Sequence, residues 1–133
     1  MRVLVDTSVW IDFFNGYDNA EAAMLAELID GEVELVTCGV IVAEFLQGIR
    51  DRRTLTQLED HFLDMVWLSP EEPQTYLSAA TLFRELRARG ITIRSTIDCL
   101  ITQLAADHNA YLLFRDRDLR RIVDANLVAV KAL

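Results

Sequence analysis

Five short apolar runs recur along the chain, separated by segments whose apolar residues repeat with a helical period, and that alternation restricts the fold more than any other feature. Val3–Val5, Glu34–Val36, Val66–Leu68, Tyr111–Phe114 and Leu127–Val130 read as strands. Val3-Leu4-Val5 shows no polar alternation, the pattern of a strand covered on both faces, as in a parallel sheet. Helical segments fall at roughly 8–15, 19–30, 40–49, 51–64, 71–89, 97–109 and 119–124, with Asn15-Gly16, Gly31 and Gly90 as stops. The spacing predicts one α/β domain over residues 1–133, with a parallel sheet of about four to five strands and helices on both faces. Right-handed crossovers then bring every strand's carboxyl end to one edge.

Composition narrows the function classes. The longest uncharged apolar stretch, Leu35–Ala43, is far short of the roughly 20 residues that span a bilayer, and the first residues lack the pattern of a secretory signal. Cys38 and Cys99 stand in apolar contexts without a CxxC spacing, so they read as buried hydrophobes in a reducing cytoplasm. A net charge of −8 argues against a general nucleic-acid coat protein. The charge is unevenly spread: residues 1–49 carry one basic residue against nine acids, whereas residues 84–121 carry eight arginines against five acids. Arginine is the side chain suited to bidentate phosphate contacts.

Four acids stand out from those on polar helix faces. Asp6 ends the first apolar run, where open α/β sheets bind ligands, yet Asp6, Thr7 and Ser8 are also good helix caps. Glu44 lies in VIVAEFLQGI, a segment apolar nearly all round, where an acid needs a partner such as Arg50 or Arg94 or a place in a site. Asp98 begins a helix and fits a capping box with Ser95. Asp116 follows the fourth run and could form an Asx-turn, while Asp118 is placed to cap the helix from Leu119. One arrangement accounts for all four acids: convergence at the carboxyl edge of the sheet. Clustered carboxylates cannot all ionise without a cation, and an Asp/Glu set with Thr7 or Ser8 beside it suits Mg²⁺ or Mn²⁺.

LVDTSVWIDFF, VAEFLQGI, TIDCLI and LLFRDRDLRRI, in this order and spacing, resemble the PIN domain, and within it the VapC toxins of bacterial VapBC toxin–antitoxin pairs. The resemblance runs essentially end to end. It implies a Rossmann-like α/β/α sandwich and a metal-dependent endoribonuclease that inhibits translation and growth. Asp6, Glu44, Asp98 and Asp116 would be the catalytic, metal-holding acids, with Thr7, Ser8 or Asp118 as additional members. It further implies a cognate VapB-type antitoxin, homodimerisation, and a heterotetramer or larger assembly with that antitoxin. The chain departs from the family in Phe114, which stands where a small hydroxyl residue is common and leaves open whether Asp116 or Asp118 is the fourth ligand.

A divalent ion would activate water and polarise the scissile phosphate, since no histidine or lysine stands in a motif as general base. Arg94 and Arg115, each in a loop leading to a site acid, are the candidates for binding RNA; Arg84 and Arg87 read as a solvated helix face. Trp10, Phe13, Phe14, Phe45 and Leu46 border a groove into which an antitoxin helix with a basic tip would fit. A phosphoacceptor receiver would need an acceptor Asp where Trp67-Leu68-Ser69-Pro70 stands, and a haloacid-type phosphatase a second Asp where Ser8 stands. The remaining alternative is an inactive PIN-like domain that binds protein or RNA.

Overall fold

The computed structural model describes residues 1–133. Five strands, β1 (Arg2–Val5), β2 (Glu34–Thr37), β3 (Val66–Trp67), β4 (Tyr111–Leu113) and β5 (Lys131–Ala132), alternate with seven helices. These are α1 (Thr7–Phe14), α2 (Ala20–Asp30), α3 (Gly39–Leu46), α4 (Arg52–Leu63), α5 (Gln74–Ala88), α6 (Thr96–Asp107) and α7 (Arg117–Asp124). Every strand pairing is parallel and the order is β3-β2-β1-β4-β5. Val3, Leu4 and Val5 are fully buried at the centre of the sheet. Their unbroken apolar run is what a strand covered by helices on both faces needs. No helix is long and apolar enough to cross a membrane.

The order in which strands are added across the sheet reverses between β1 and β4, which pair in parallel with Val5 opposite Leu113. At such a reversal the crossovers leave toward opposite faces and open a crevice beyond the carboxyl ends of the strands. The amide of Asp6 donates to the carbonyl of Leu113 at 2.9 Å, stitching the two strand ends together. Asp6 follows β1 directly, and Asp116 lies three residues past the end of β4.

Three elements depart from the sequence reading. The last strand is Lys131–Ala132, paired with Tyr111–Leu112, whereas Leu127, Val128 and Val130 pack against the core without joining the ladder. A strand is defined by its partner edge, and an apolar run carries no record of one. Helix α5 begins at Gln74 and not near Glu71, because a residue preceding proline is driven away from helical backbone and Pro73 follows Glu72. In the helix over 51–64, whose apolar residues Leu55, Leu58, Phe62 and Leu63 share a helical period in the sequence, Leu63 is 71 % exposed while Phe62 beside it is buried.

Candidate active site

The N-termini of α1 and α6, the middle of α3 and the loop entering α7 bring the singled-out acids to the crevice. Asp6 is 5 % exposed and caps α1, its Oδ2 accepting from the Ser8 amide at 3.1 Å and from Ser8 Oγ at 2.6 Å. The capping and site readings therefore hold together. Ser8 Oγ also accepts from the amide of Arg115 at 3.1 Å, so one hydroxyl ties Asp6 to the loop that carries Asp116. Burial raises the Asp6 carboxyl above its ordinary value, against the lowering effect of the Ser8 bonds.

Glu44 corrects one expectation. Helix α3 buries Ile41, Val42 and Phe45 but leaves Ala43 and Glu44 exposed, so the acid needs no ion-pair partner to survive there. Neither Arg50 nor Arg94 pairs with it. Thr7 Oγ1 donates to Glu44 Oε1 at 3.3 Å across the gap between α1 and α3. Desolvation and then the Asp6 charge raise its pKa.

Asp98 lies in the first turn of α6 with no hydrogen bond to its carboxylate. Ser95 caps that helix by accepting from the Ile97 amide, and the reciprocal capping box with Asp98 is not formed. Desolvation first, then the charges of Asp116, Asp6, Asp118 and Glu44, push its carboxyl up to about 7. Asp116 also raises Asp6 and Glu44, so the four acids behave as one electrostatic group. Their side chains do not close on a common point: no three acids stand together in ligating geometry.

The capping role falls to Asp116 and not to Asp118, the reverse of the sequence expectation for the cap alone. Asp116 caps α7, with Oδ2 accepting from the Leu119 amide at 2.9 Å. Asp118 is the second residue of α7, 4 % exposed, and its Oδ2 accepts from both the amide and Nε of Arg94 at 3.0 Å. Those bonds hold its carboxyl below the ordinary range. Phe114 is core, 6 % exposed, with the Arg120 guanidinium stacked 4.7 Å from its ring centre. It therefore anchors the loop and does not line the site.

Arg94 Nη2 approaches Asp116 Oδ1 at 3.5 Å, and Arg115 Nη1 pairs with Asp12 Oδ2 at 3.4 Å. Asp12 is not among the acids that the sequence sets apart; its one signal is that it stands four residues after Ser8, on the same face of α1. Arg84 and Arg87 are exposed on α5, as expected.

The aromatic residues divide. Trp10 and Phe45 are core, packed with Phe62, and Leu46 is half-buried. Phe13 and Phe14 are exposed. A groove of about 360 Å³ runs between α1 and α3, with Ile11, Phe14, Phe45 and Ile49 in its lining and Glu44 at its edge.

A family model described as "PIN domain" matches residues 3–125. VapC ribonuclease Mb1587 of Mycobacterium bovis is 33 % identical over 117 residues, covering 87 % of each chain. Ribonuclease VapC11 of Mycobacterium tuberculosis matches at the same identity and coverage. The fold is shared with VapBC-1 from nontypeable Haemophilus influenzae at a TM-score of 0.73 and 21 % identity, over 100 % of this chain and 97 % of that one.

Proposed function

The chain belongs to the PIN-domain family, among its VapC ribonucleases, and from that premise we propose that it is a divalent-metal-dependent endoribonuclease, the toxin of a toxin–antitoxin pair. The observation that carries this reading is the convergence of the acids on the crevice, where burial and neighbouring charges raise Asp6 and Glu44 and push Asp98 up to about 7. Arg94 offsets only part of the negative charge of this group, and its donors are all hard oxygens, the chemistry that Mg²⁺ or Mn²⁺ takes. Asp6, Glu44, Asp98 and Asp116 would hold the ion. When bound, it supplies a lowered pKa for water and charge compensation on the phosphate and the leaving oxygen.

The chain's own residues do the rest. Ser8 fixes the carboxylate of Asp6 through two hydrogen bonds, and Thr7 orients Glu44. Arg94, beside Asp116, and Arg115, beside Asp12, would draw an anionic strand toward a crevice that would otherwise repel it. The groove along α1 and α3 fits an apolar helix, and its acidic edge at Glu44 favours a basic tip; we assign it to the antitoxin. That partner would close the site from the side opposite Arg94.

The test is cleavage of total RNA by purified protein with Mg²⁺ or Mn²⁺, with EDTA, and by the Asp98→Asn variant. Cleavage should need the metal and fall at least a hundredfold in Asp98→Asn. Undiminished cleavage in EDTA would overturn the metal mechanism.

A further inference from the structure

Asp118, like Asp6, is buried and held by a partner within the chain, but its partner is an arginine. Its Oδ2 receives two hydrogen bonds from Arg94, one from the backbone amide and one from Nε, both at 3.0 Å. The carboxylate is 6 % exposed, while the arginine side chain is 78 % exposed. Nearby, Arg121 Nη1 donates to the carbonyl of Thr92 at 2.7 Å, so α7 grips the loop before α6 at two points. Arg94 therefore leaves a rigid base and extends along the rim of the crevice. A guanidinium carries five N–H donors in a fixed fork. Here Nε is spent on Asp118 and Nη2 faces Asp116 Oδ1 at 3.5 Å, leaving Nη1 unpaired at the acid cluster.

We infer that Asp118 is a positioning residue and not a metal ligand: by holding the amide and Nε of Arg94 it aims that guanidinium as the clamp for the RNA phosphate bound at the acid cluster. This rests on the nuclease reading above, and it assigns Asp118 and Arg94 separate roles within it. Burying a carboxylate on a partner that is itself exposed orders a long side chain before substrate arrives, which lowers the entropic cost of seating the phosphate. The planar fork suits a phosphate's two free oxygens better than an ammonium does. The same guanidinium offsets part of the charge on Asp116 in the metal-free protein.

The experiment measures binding, so that it does not depend on turnover. Affinity for a short mixed-sequence single-stranded RNA is read by fluorescence anisotropy over a salt series, in the Asp98→Asn background with Mg²⁺. Arg94→Ala should weaken binding roughly three- to tenfold and flatten the slope against log salt by about 0.7, the loss of one phosphate contact. Asp118→Ala should weaken it similarly, and the double variant should be no weaker than Arg94→Ala alone. Arg94→Lys should recover only part of the affinity. Should Asp118→Ala fail to fold, Asp118→Asn serves in its place: its amide oxygen can keep both Arg94 bonds, but without the charge its hold on Nε weakens. RNA affinity should then fall part of the way toward that of Arg94→Ala, and an affinity equal to the parent's would count against the inference. Mn²⁺ affinity, titrated calorimetrically with Asp98 restored, should be no lower in Arg94→Ala than in the parent and the same again in the double variant. A further drop of tenfold or more in the double variant would make Asp118 a ligand and overturn the inference, as would RNA affinity indifferent to Arg94. If Arg94 carries RNA affinity but the parent chain never cleaves with either metal, the nuclease reading fails and the clamp stands.

Discussion

Asp98 is the residue at which folding and function pull in opposite directions. In the unfolded chain its carboxyl has an ordinary value, and in the folded protein burial and four neighbouring acids push it up to about 7. Between roughly pH 4 and pH 7 the folded state therefore holds a proton that the unfolded state has lost, and metal-free stability falls as pH rises through that window. Asp6 and Glu44, also raised, add to the same slope. The lowered Asp118 acts in the opposite sense, but its contribution is lost only below the ordinary carboxylate range. Melting curves in EDTA should show higher stability at pH 5 than at pH 8, with Asp98 contributing about 1–2 kcal/mol after allowance for its partial solvent contact. Asp98→Asn should flatten much of that slope and raise the melting temperature at pH 8. A flat profile for the parent protein would contradict the clustering. Asp6, Asp98 and Asp116 stood out in the sequence from their places after strands or at a helix start, and Glu44 from its apolar surroundings. The partner of Asp118 was not, because Arg94 reaches it from 24 residues away and only the packing of α7 on the loop before α6 joins them.

At the scale of elements, several acids hold helix ends as well as facing the crevice. Asp116 is the test of whether the two tasks separate. Its Oδ2 caps α7 through the Leu119 amide while Oδ1 faces Arg94. Asparagine caps as well as aspartate does, so Asp116→Asn should keep the melting temperature and abolish cleavage. Asp116→Ala should abolish cleavage and also cost about 1 kcal/mol, a fall of roughly 3–5 °C. If both variants cleaved RNA at the parent rate, the acid would be a cap alone. The sequence placed the cap of α7 two residues late because Asp116 and Asp118 are equally good capping side chains. What chose between them was burial: Asp118 and Leu119 turn inward together, and the helix starts where the remaining carboxylate can reach an amide.

Across the whole molecule, the face of α1 shows how core and surface divide. Trp10 is 4 % exposed against Phe45 and Phe62, whereas Phe14 is 45 % exposed over the groove. Trp10→Ala should cost about 3–5 kcal/mol, and Phe14→Ala well under 1 kcal/mol. Binding of the antitoxin should follow the reverse order in folded protein, with Phe14→Ala weakening the complex by tenfold or more in calorimetry. An unchanged affinity would place the partner elsewhere. The strand–helix alternation, the central buried strand and the position of Asp6 and Asp116 at the carboxyl ends of β1 and β4 were determined by the sequence alone. They follow from local periodicity and from the right-handed connection of parallel strands, neither of which needs distant contacts. The exposure of Glu44 on a nearly all-apolar helix, the division between Trp10 and Phe14, the last strand at Lys131–Ala132 and the commitment of Asp118 to Arg94 were decided only by the tertiary structure. Burial and hydrogen-bond partnership depend on which surfaces meet, and here they meet between segments far apart in the chain.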